Sequence, residues 1–345
     1  MVSVKSPGFL PILQSQLESL PLEVLESVNR TGGLEVRDFM DFVLNPRDHA
    51  VVEPEDVSNE IVEWWNTCRE THDEESVNDL GMKALWEGRA AQCLVFSGDP
   101  NDWCKIIEGG KTWIETKLPH ASWVKNVWVV VHPSVTERVK CYLACRGPRH
   151  VRVIPGFETF QLKPDNTLDF MGGKVATVSC GDGDVVPALL ESGTLDEFVK
   201  SGGECVFVSN AKNLAVDPYF YLVGRHIKRN SRLTWEVVHA EKGDEGDVLV
   251  DVGGSATVVG RKRVFASREF PWTSTGTYVF DPRLPMRDVK WSWVRTRETK
   301  FSKSVVSFKR SACDLTAAFD ATFVNVPRYI RYYPVSSRII GEKSL

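Results

Sequence analysis

Apolar residues along this chain gather in short runs, set apart by glycine, proline and polar turns. Cys93 to Phe96, Val127 to Val131 and Val151 to Ile154 have strand length and read as buried strands. Between the second and third, Pro133 to Leu143 reads as a helix. Val185 to Lys200 carries apolar residues at helical spacing and stops at Gly202 and Gly203. Glu204 to Val208 is again a short apolar strand, closed by Ser209 and Asn210. Strands alternating with helices predict an α/β core from about Ala90: a mixed, mostly parallel, Rossmann-like sheet with helices on both faces. From Leu233 the pattern turns to strands. Trp235 to His239, Val248 to Val252 and Thr277 to Phe280 read as strands, and Ala256 to Val259 with Arg263 to Phe265 as a hairpin.

Ahead of the core, Leu10 to Asn29, interrupted by Pro21, and Leu34 to Leu44 read as helices. Residues 52 to 80 are acidic, and Ile61, Val62, Trp64 and Trp65 supply the apolar face of a further helix. The division expected is a helical N-terminal extension over residues 1–85 and an α/β domain over 86–345.

Composition narrows the function classes. The 345 residues are 42% apolar and 26% charged, as in an ordinary globular protein. A net charge of -4 gives no bulk attraction to nucleic acid or membranes. No apolar run has the length of a membrane span, and no basic segment leads into an apolar one as a secretory signal would. The eight cysteines are scattered, and Cys141 and Cys145 have no second pair or histidine cluster to complete a zinc site. Reduced thiols in a cytoplasmic protein are the expectation.

The stretch from Gly181 to Asp217 organises the rest: a Gly-Asp-Gly-Asp turn, a helix, and a strand closing on small polar residues. Open α/β sheets build ligand crevices at such strand ends. This stretch resembles the uridine-binding centre of the UDP-glucose pyrophosphorylase family, the UTP–glucose-1-phosphate uridylyltransferases. Ala312 to Arg328, Tyr333-Pro334-Val335, Glu236 to Val238 and Glu245 to Leu249 resemble further family segments in the same order, so that the likeness covers roughly residues 85 to 337. The resemblance implies a nucleotidyltransferase fold, a uridine nucleotide or UDP-sugar as ligand, and uridylyl transfer from UTP to a sugar 1-phosphate with Mg²⁺. It also implies a helical N-terminal extension used in oligomer contacts. With ten residues after Val335 in this sequence, the C-terminal β-helix domain of eukaryotic members is not expected within it.

Residue by residue, the resemblance is uneven. Of the family's glycine-rich phosphate loop only Gly98 remains, followed by Asp99, Pro100 and Asp102, with Lys105 or Lys111 in place of the downstream lysine. Gln161, Gly181 and Asn210 match the positions that read the base and ribose. Asp182 replaces a histidine, and Lys212 stands where the family places its metal-binding aspartate, so Mg²⁺ loses its carboxylate there. Gly246 lies in the matching glycine turn, and Thr275 in a Ser-Thr-Gly-Thr run where an asparagine pair is expected. Ser336 replaces a phosphate-binding lysine, with Arg338 two residues on. Two readings stay open: a divergent enzyme using Lys105, Lys212 and Arg338 as substitute cations, and a scaffold kept for binding or assembly after loss of catalysis. A third comes from residues 283–310, where nine Lys or Arg face two acids beside Trp291 and Trp293. That composition suits single-stranded nucleic acid or a protein partner. It equally suits a strand with an inward Trp face and a solvated basic face.

Overall fold

The computed structural model describes residues 9–21, 24–26, 39, 43, 55, 57, 61–64, 73–107, 110–148, 150–215, 217–264, 269–300 and 303–334. Trp65, Phe265, Val335, Ser336, Arg338 and most of the expected helix from Leu34 to Leu44 lie outside these residues.

In chain order, helix α1 (Phe9–Glu18) is followed by strand β1 (Val62–Trp64), helix α2 (Asp73–Glu87) and strand β2 (Ala90–Val95). Next come α3 (Trp113–Lys117), β3 (Asn126–Val131), α4 (Thr136–Arg146) and β4 (Arg152–Pro155). Two small hairpin layers follow: β5 (Glu158–Phe160) pairs with β8 (Thr177–Ser179), and between them β6 (Phe170–Met171) pairs with β7 (Lys174–Val175). The chain continues through α5 (Val185–Glu191), α6 (Thr194–Lys200), β9 (Cys205–Asn210), α7 (Phe220–Arg229), β10 (Leu233–His239), β11 (Val248–Val252) and β12 (Ser255–Val259). It closes with β13 (Trp272–Phe280), β14 (Trp293–Lys300), β15 (Lys303–Arg310), α8 (Asp314–Ala318), β16 (Ala321–Asn325) and α9 (Arg328–Arg331).

The main sheet runs β1-β16-β10-β13-β9-β2-β3-β4. Every neighbouring pair along it is parallel except the two made by β13, which runs antiparallel between β10 and β9. This is the mixed, mostly parallel sheet that the alternating runs predict. Its strands are apolar on both sides: in β3, Trp128 and Val130 pack into one core, Val127, Val129 and Val131 into the other. Strands buried on both faces lose period-two alternation, hence the continuous apolar runs. Leu13 and Leu17 of α1 and Phe39 join the first core, Phe39 meeting Phe160 and Phe308 edge-on at 5.4 Å each. On the other face α2 crosses α7 with the backbones touching. A Cβ on Gly81 or Gly224 would run into the Phe220 or Val77 carbonyl, so both crossing points need glycine.

Four local expectations are corrected. Val62 and Trp64 belong to an edge strand paired with β16, not to a helix face. Three residues are too short a run to show strand periodicity. The single helix from Val185 to Lys200 is two, because Gly193 adopts φ +68° between α5 and α6. The hairpin is made by β11 and β12, in register from Val248↔Val259 to Val252↔Ser255. Arg261–Arg263 is a turn of 3-10 helix instead of its second strand. Finally, β13 starts at Trp272, well before Thr277. No helix among the described residues is long and apolar enough to cross a membrane. Their seven cysteines are free.

Candidate functional site

Strands β2 and β9 lie side by side and end together, Val95 opposite Asn210. Their carboxyl ends open onto a crevice of about 230 Å³. Ser97 comes from the turn after β2, Gly181 and Asp182 from the Gly-Asp-Gly-Asp turn, and Asn210 and Lys212 from the end of β9. Glu245 and Asp247 lead into β11, Arg261 and Arg263 follow β12, and the β14–β15 hairpin supplies Val294, Thr296, Lys309 and Arg310. A second cavity of about 430 Å³ shares Arg263, Ser292, Cys313 and Asp314 with the first, so the two adjoin.

The glycine turn is clamped to the hairpin. Gly181 has φ +107°, and a Cβ on it would strike the Arg310 carbonyl. Only glycine allows this approach. Arg310 N donates to the Cys180 carbonyl at 2.6 Å. Its guanidinium meets Asp184 at 2.6 Å and lies 5.1 Å from the Phe157 ring centre and 5.2 Å from that of Trp293. The turn therefore keeps one acid inside, Asp184, and presents the other, Asp182, to the crevice.

Asp182 is held from two sides. Its Oδ2 accepts from Asn210 Nδ2 at 3.3 Å and its Oδ1 from Ala312 N at 3.2 Å. Asn210 Oδ1 in turn accepts from Lys212 N at 3.0 Å, which fixes the backbone from which the Lys212 side chain enters the crevice. Asp247 faces the same space and accepts from the Cys313 thiol at 3.1 Å. Burial pushes the Asp247 carboxyl up to about 6, with the charge of Asp182 adding to it, while Lys212 pulls the other way. Burial, then Asp247 and Asp182, push the Cys313 thiol well above its ordinary value, so it is no thiolate nucleophile at neutral pH. Burial also raises Asp314, which accepts from Ser292 N at 2.6 Å and faces Arg263 at 3.7 Å. The crevice thus places Lys212, Arg261, Arg263 and Lys309 among four carboxylates, a mixed field suited to a ligand both anionic and rich in hydroxyls.

Beneath the site, a buried charge network holds the loop that carries Lys212. The Lys117 ammonium pairs with Asp217 and donates to the Asn213 and Ala215 carbonyls at 2.7 Å each. Arg331 joins Asp217 at 3.4 Å to Glu236 at 3.0 Å.

Of the residues singled out by sequence, Gly181, Asp182, Asn210 and Lys212 come together, and Gly98 borders them: a Cβ there would lie 3.6 Å from Lys212 Cε. Gln161 is not among the lining residues. It sits buried beyond the end of β5 with its amide donating to Asp169 at 2.7 Å. Thr275 turns its hydroxyl inward to Glu236 at 2.7 Å. Gly246 packs against Thr273 and Tyr332, and Lys105 bonds Asp102 at 2.6 Å. The sequence reading missed Asp247, one residue beyond the glycine it had noted. It also missed Arg261, Arg263 and the Asp184–Arg310 pair, whose members are 126 residues apart. In the basic segment, Trp293 and Arg310 are buried and Trp291 is partly buried against the core. The inward Trp face is the reading that the structure bears out, and Trp293 is not open to stack on bases.

Comparison with known proteins places this geometry. Residues 166–278 match the model of the UTP–glucose-1-phosphate uridylyltransferase family. A probable UTP–glucose-1-phosphate uridylyltransferase of Schizosaccharomyces pombe is 31% identical over 80 residues, which are 23% of this chain and 16% of the relative. The chain thus matches only about a sixth of that relative's length. Among solved structures, a UDP-N-acetylglucosamine pyrophosphorylase of Trypanosoma brucei superposes with a TM-score of 0.69 at 13% identity, covering 100% of this chain and 80% of the other. A mutant UDP-glucose pyrophosphorylase of Leishmania major, in complex with UDP-glucose, gives 0.69 at 14% identity over 94% of this chain and 76% of its own. Over residues 166–278 the chain is similar to the UDP-glucose pyrophosphorylase family. At these identities the solved structures establish its nucleotidyltransferase-like α/β fold.

The family resemblance implies a divalent cation, and the crevice presents Lys212 where that resemblance places a carboxylate. The two acids beside it already accept hydrogen bonds, from Asn210 and Ala312 and from Cys313. Among the described residues no group of three or more His, Cys, Asp or Glu is arranged to hold a metal. A charged lysine is a donor only and cannot ligate.

Proposed function

We propose that this pyrophosphorylase relative binds a UDP-sugar in its crevice without a divalent metal and does not carry out uridylyl transfer at family rates. The observation that carries the reading is the entry of Lys212 into the crevice where Gly181, Asp182 and Asn210 converge. A UDP-sugar combines a diphosphate, which Lys212 and the neighbouring arginines neutralise, with sugar hydroxyls that donate to carboxylates such as Asp182 and Asp247. The solved relative that holds UDP-glucose shares the fold. Loss of a preorganised charge in the transition state costs on the order of 100- to 1000-fold per group. With the metal carboxylate replaced by Lys212, ordinary turnover is not expected.

Thermal unfolding followed with and without UDP-glucose in EDTA, alongside pyrophosphate release from UTP and glucose 1-phosphate, tests the reading. A raised midpoint with no pyrophosphate release is the expected pair of results. Turnover that requires Mg²⁺ would overturn it.

A further inference from the structure

Acids balance cations in the crevice once its internal pairs are set aside. Arg310 meets Asp184 at 2.6 Å, and Arg263 faces Asp314 at 3.7 Å. Lys212, Arg261 and Lys309 then stand against Asp182, Glu245 and Asp247. Glu245 is exposed, whereas Asp182 and Asp247 are half-buried in the walls. The charges of Asp182 and Lys212 both act on Asp247, so the three share one space. Neither wall acid is free to swing away. Asp182 accepts from Asn210 Nδ2 and Ala312 N, and Asp247 from the Cys313 thiol. A Cβ on Gly260 would lie 3.7 Å from Asp247 Oδ1, so the turn after β12 packs against this acid as well. Amide and thiol donors are neutral, so they fix the two carboxylates without cancelling their charge.

We infer that Asp182 and Asp247 set the ligand charge this crevice accepts, admitting a uridine diphosphate capped by a sugar and rejecting UTP. The inference deepens the UDP-sugar reading and rests on it. In a UDP-sugar both phosphates are bridged or esterified at each end, so no terminal monoester with a second ionisation at about pH 6 is present. UTP carries a further phosphate and ends in such a monoester, mostly doubly ionised at neutral pH. With no divalent cation bound, Lys212, Arg261 and Lys309 are the cations left to offset that charge. A crevice walled by protein screens charge less than bulk water does, so the added anion is repelled by both wall acids. The sugar instead brings hydroxyls, which donate to carboxylates. The same two acids thus attract one ligand and repel the other.

Calorimetric titrations of UDP-glucose and of UTP in EDTA test this, using the full chain as wild type, D182N, D247N and D182N/D247N. Asparagine keeps the side-chain size and a carbonyl acceptor while removing the charge. Thermal unfolding shows which variants are folded, and the single variants carry the test where the double one is not. Wild type is expected to bind UDP-glucose at least tenfold more tightly than UTP. In D182N/D247N, UTP is expected to gain at least tenfold and UDP-glucose to gain nothing, with each single variant moving part of the way. Wild type that binds UTP as tightly as UDP-glucose, or folded variants in which both ligands shift by the same factor, overturn the inference. UDP-glucose binding by wild type with no gain for UTP in any folded variant defeats the charge selection and leaves the crevice reading standing. No UDP-glucose binding by wild type defeats both.

Discussion

Arg310 Nε meets Asp184 Oδ1 at 2.6 Å, and neither side chain is more than 2% exposed. This pair fastens the end of β15 to the glycine turn and so sets one wall of the crevice. Removing one partner of such a buried pair typically costs about 3–5 kcal/mol, while replacing both with apolar residues of similar volume is often neutral. R310M is therefore expected to lose stability in that range, and the double variant D184L/R310M to recover most of it. Urea unfolding of the four proteins in the cycle measures the coupling.

Asp247 gives the molecule a pH dependence of known sign. Burial raises its carboxyl from the ordinary 3.8 to about 6. The folded state then binds this proton more tightly than the unfolded chain, so stability falls as pH rises from about 4 to about 6 and levels off above. The full cost at neutral pH is about 3 kcal/mol. D247N removes the ionisation, and its stability is expected to match wild type near pH 4 and exceed it by about 1–3 kcal/mol at pH 7. Urea midpoints across that interval are the check.

These two groups also mark where sequence reading stops. The parallel core was legible because β2, β3, β4 and β9 are buried on both faces and appear as short apolar runs, unbroken in β3 and interrupted only by Gln92, Arg152 and the closing Ser209-Asn210 in the others. Four members of the site were legible because Gly181, Asp182, Asn210 and Lys212 sit at a turn and a strand end close in sequence. The hairpin of β11 and β12 had its signal in Gly253 and Gly254, both at positive φ between two valine-rich runs, but the pairing was assigned to the wrong neighbour. Asp184 and Arg310 had no local signal, since their contact comes only from tertiary packing. Gln161 failed as a site residue for a similar reason: Asp169 satisfies its amide on the hairpin away from the crevice lining.

Lys212 can be exchanged for the residue type that the family resemblance implies. In K212D a carboxylate would stand beside Asp182 and Asp247, and three acids with a UDP-sugar phosphate offer oxygen ligands to Mg²⁺. Thermal stabilisation of wild type by UDP-glucose is expected to be the same in EDTA and in Mg²⁺. K212D is expected to respond only when Mg²⁺ is present. Equal metal dependence in the two proteins would show that Lys212 does not stand in for a cation.

Lys117 tests the support beneath the loop. Its fully buried ammonium binds Asp217 and two carbonyls of the segment that follows Lys212. K117M leaves those carbonyls without their donor and Asp217 with Arg331 alone, and is expected to cost about 3–5 kcal/mol. Backbone amides of residues 211–217 should exchange with deuterium faster than in wild type, measured under conditions where both proteins are folded. Unchanged protection there would mean that the loop is held by other contacts.

The most direct test is calorimetric titration of UDP-glucose into wild type and K212A, both in EDTA. Saturable binding by wild type, weakened at least tenfold in K212A, is the predicted outcome. No binding by wild type, or binding that needs Mg²⁺ and is indifferent to K212A, would contradict a metal-free UDP-sugar crevice built around Lys212.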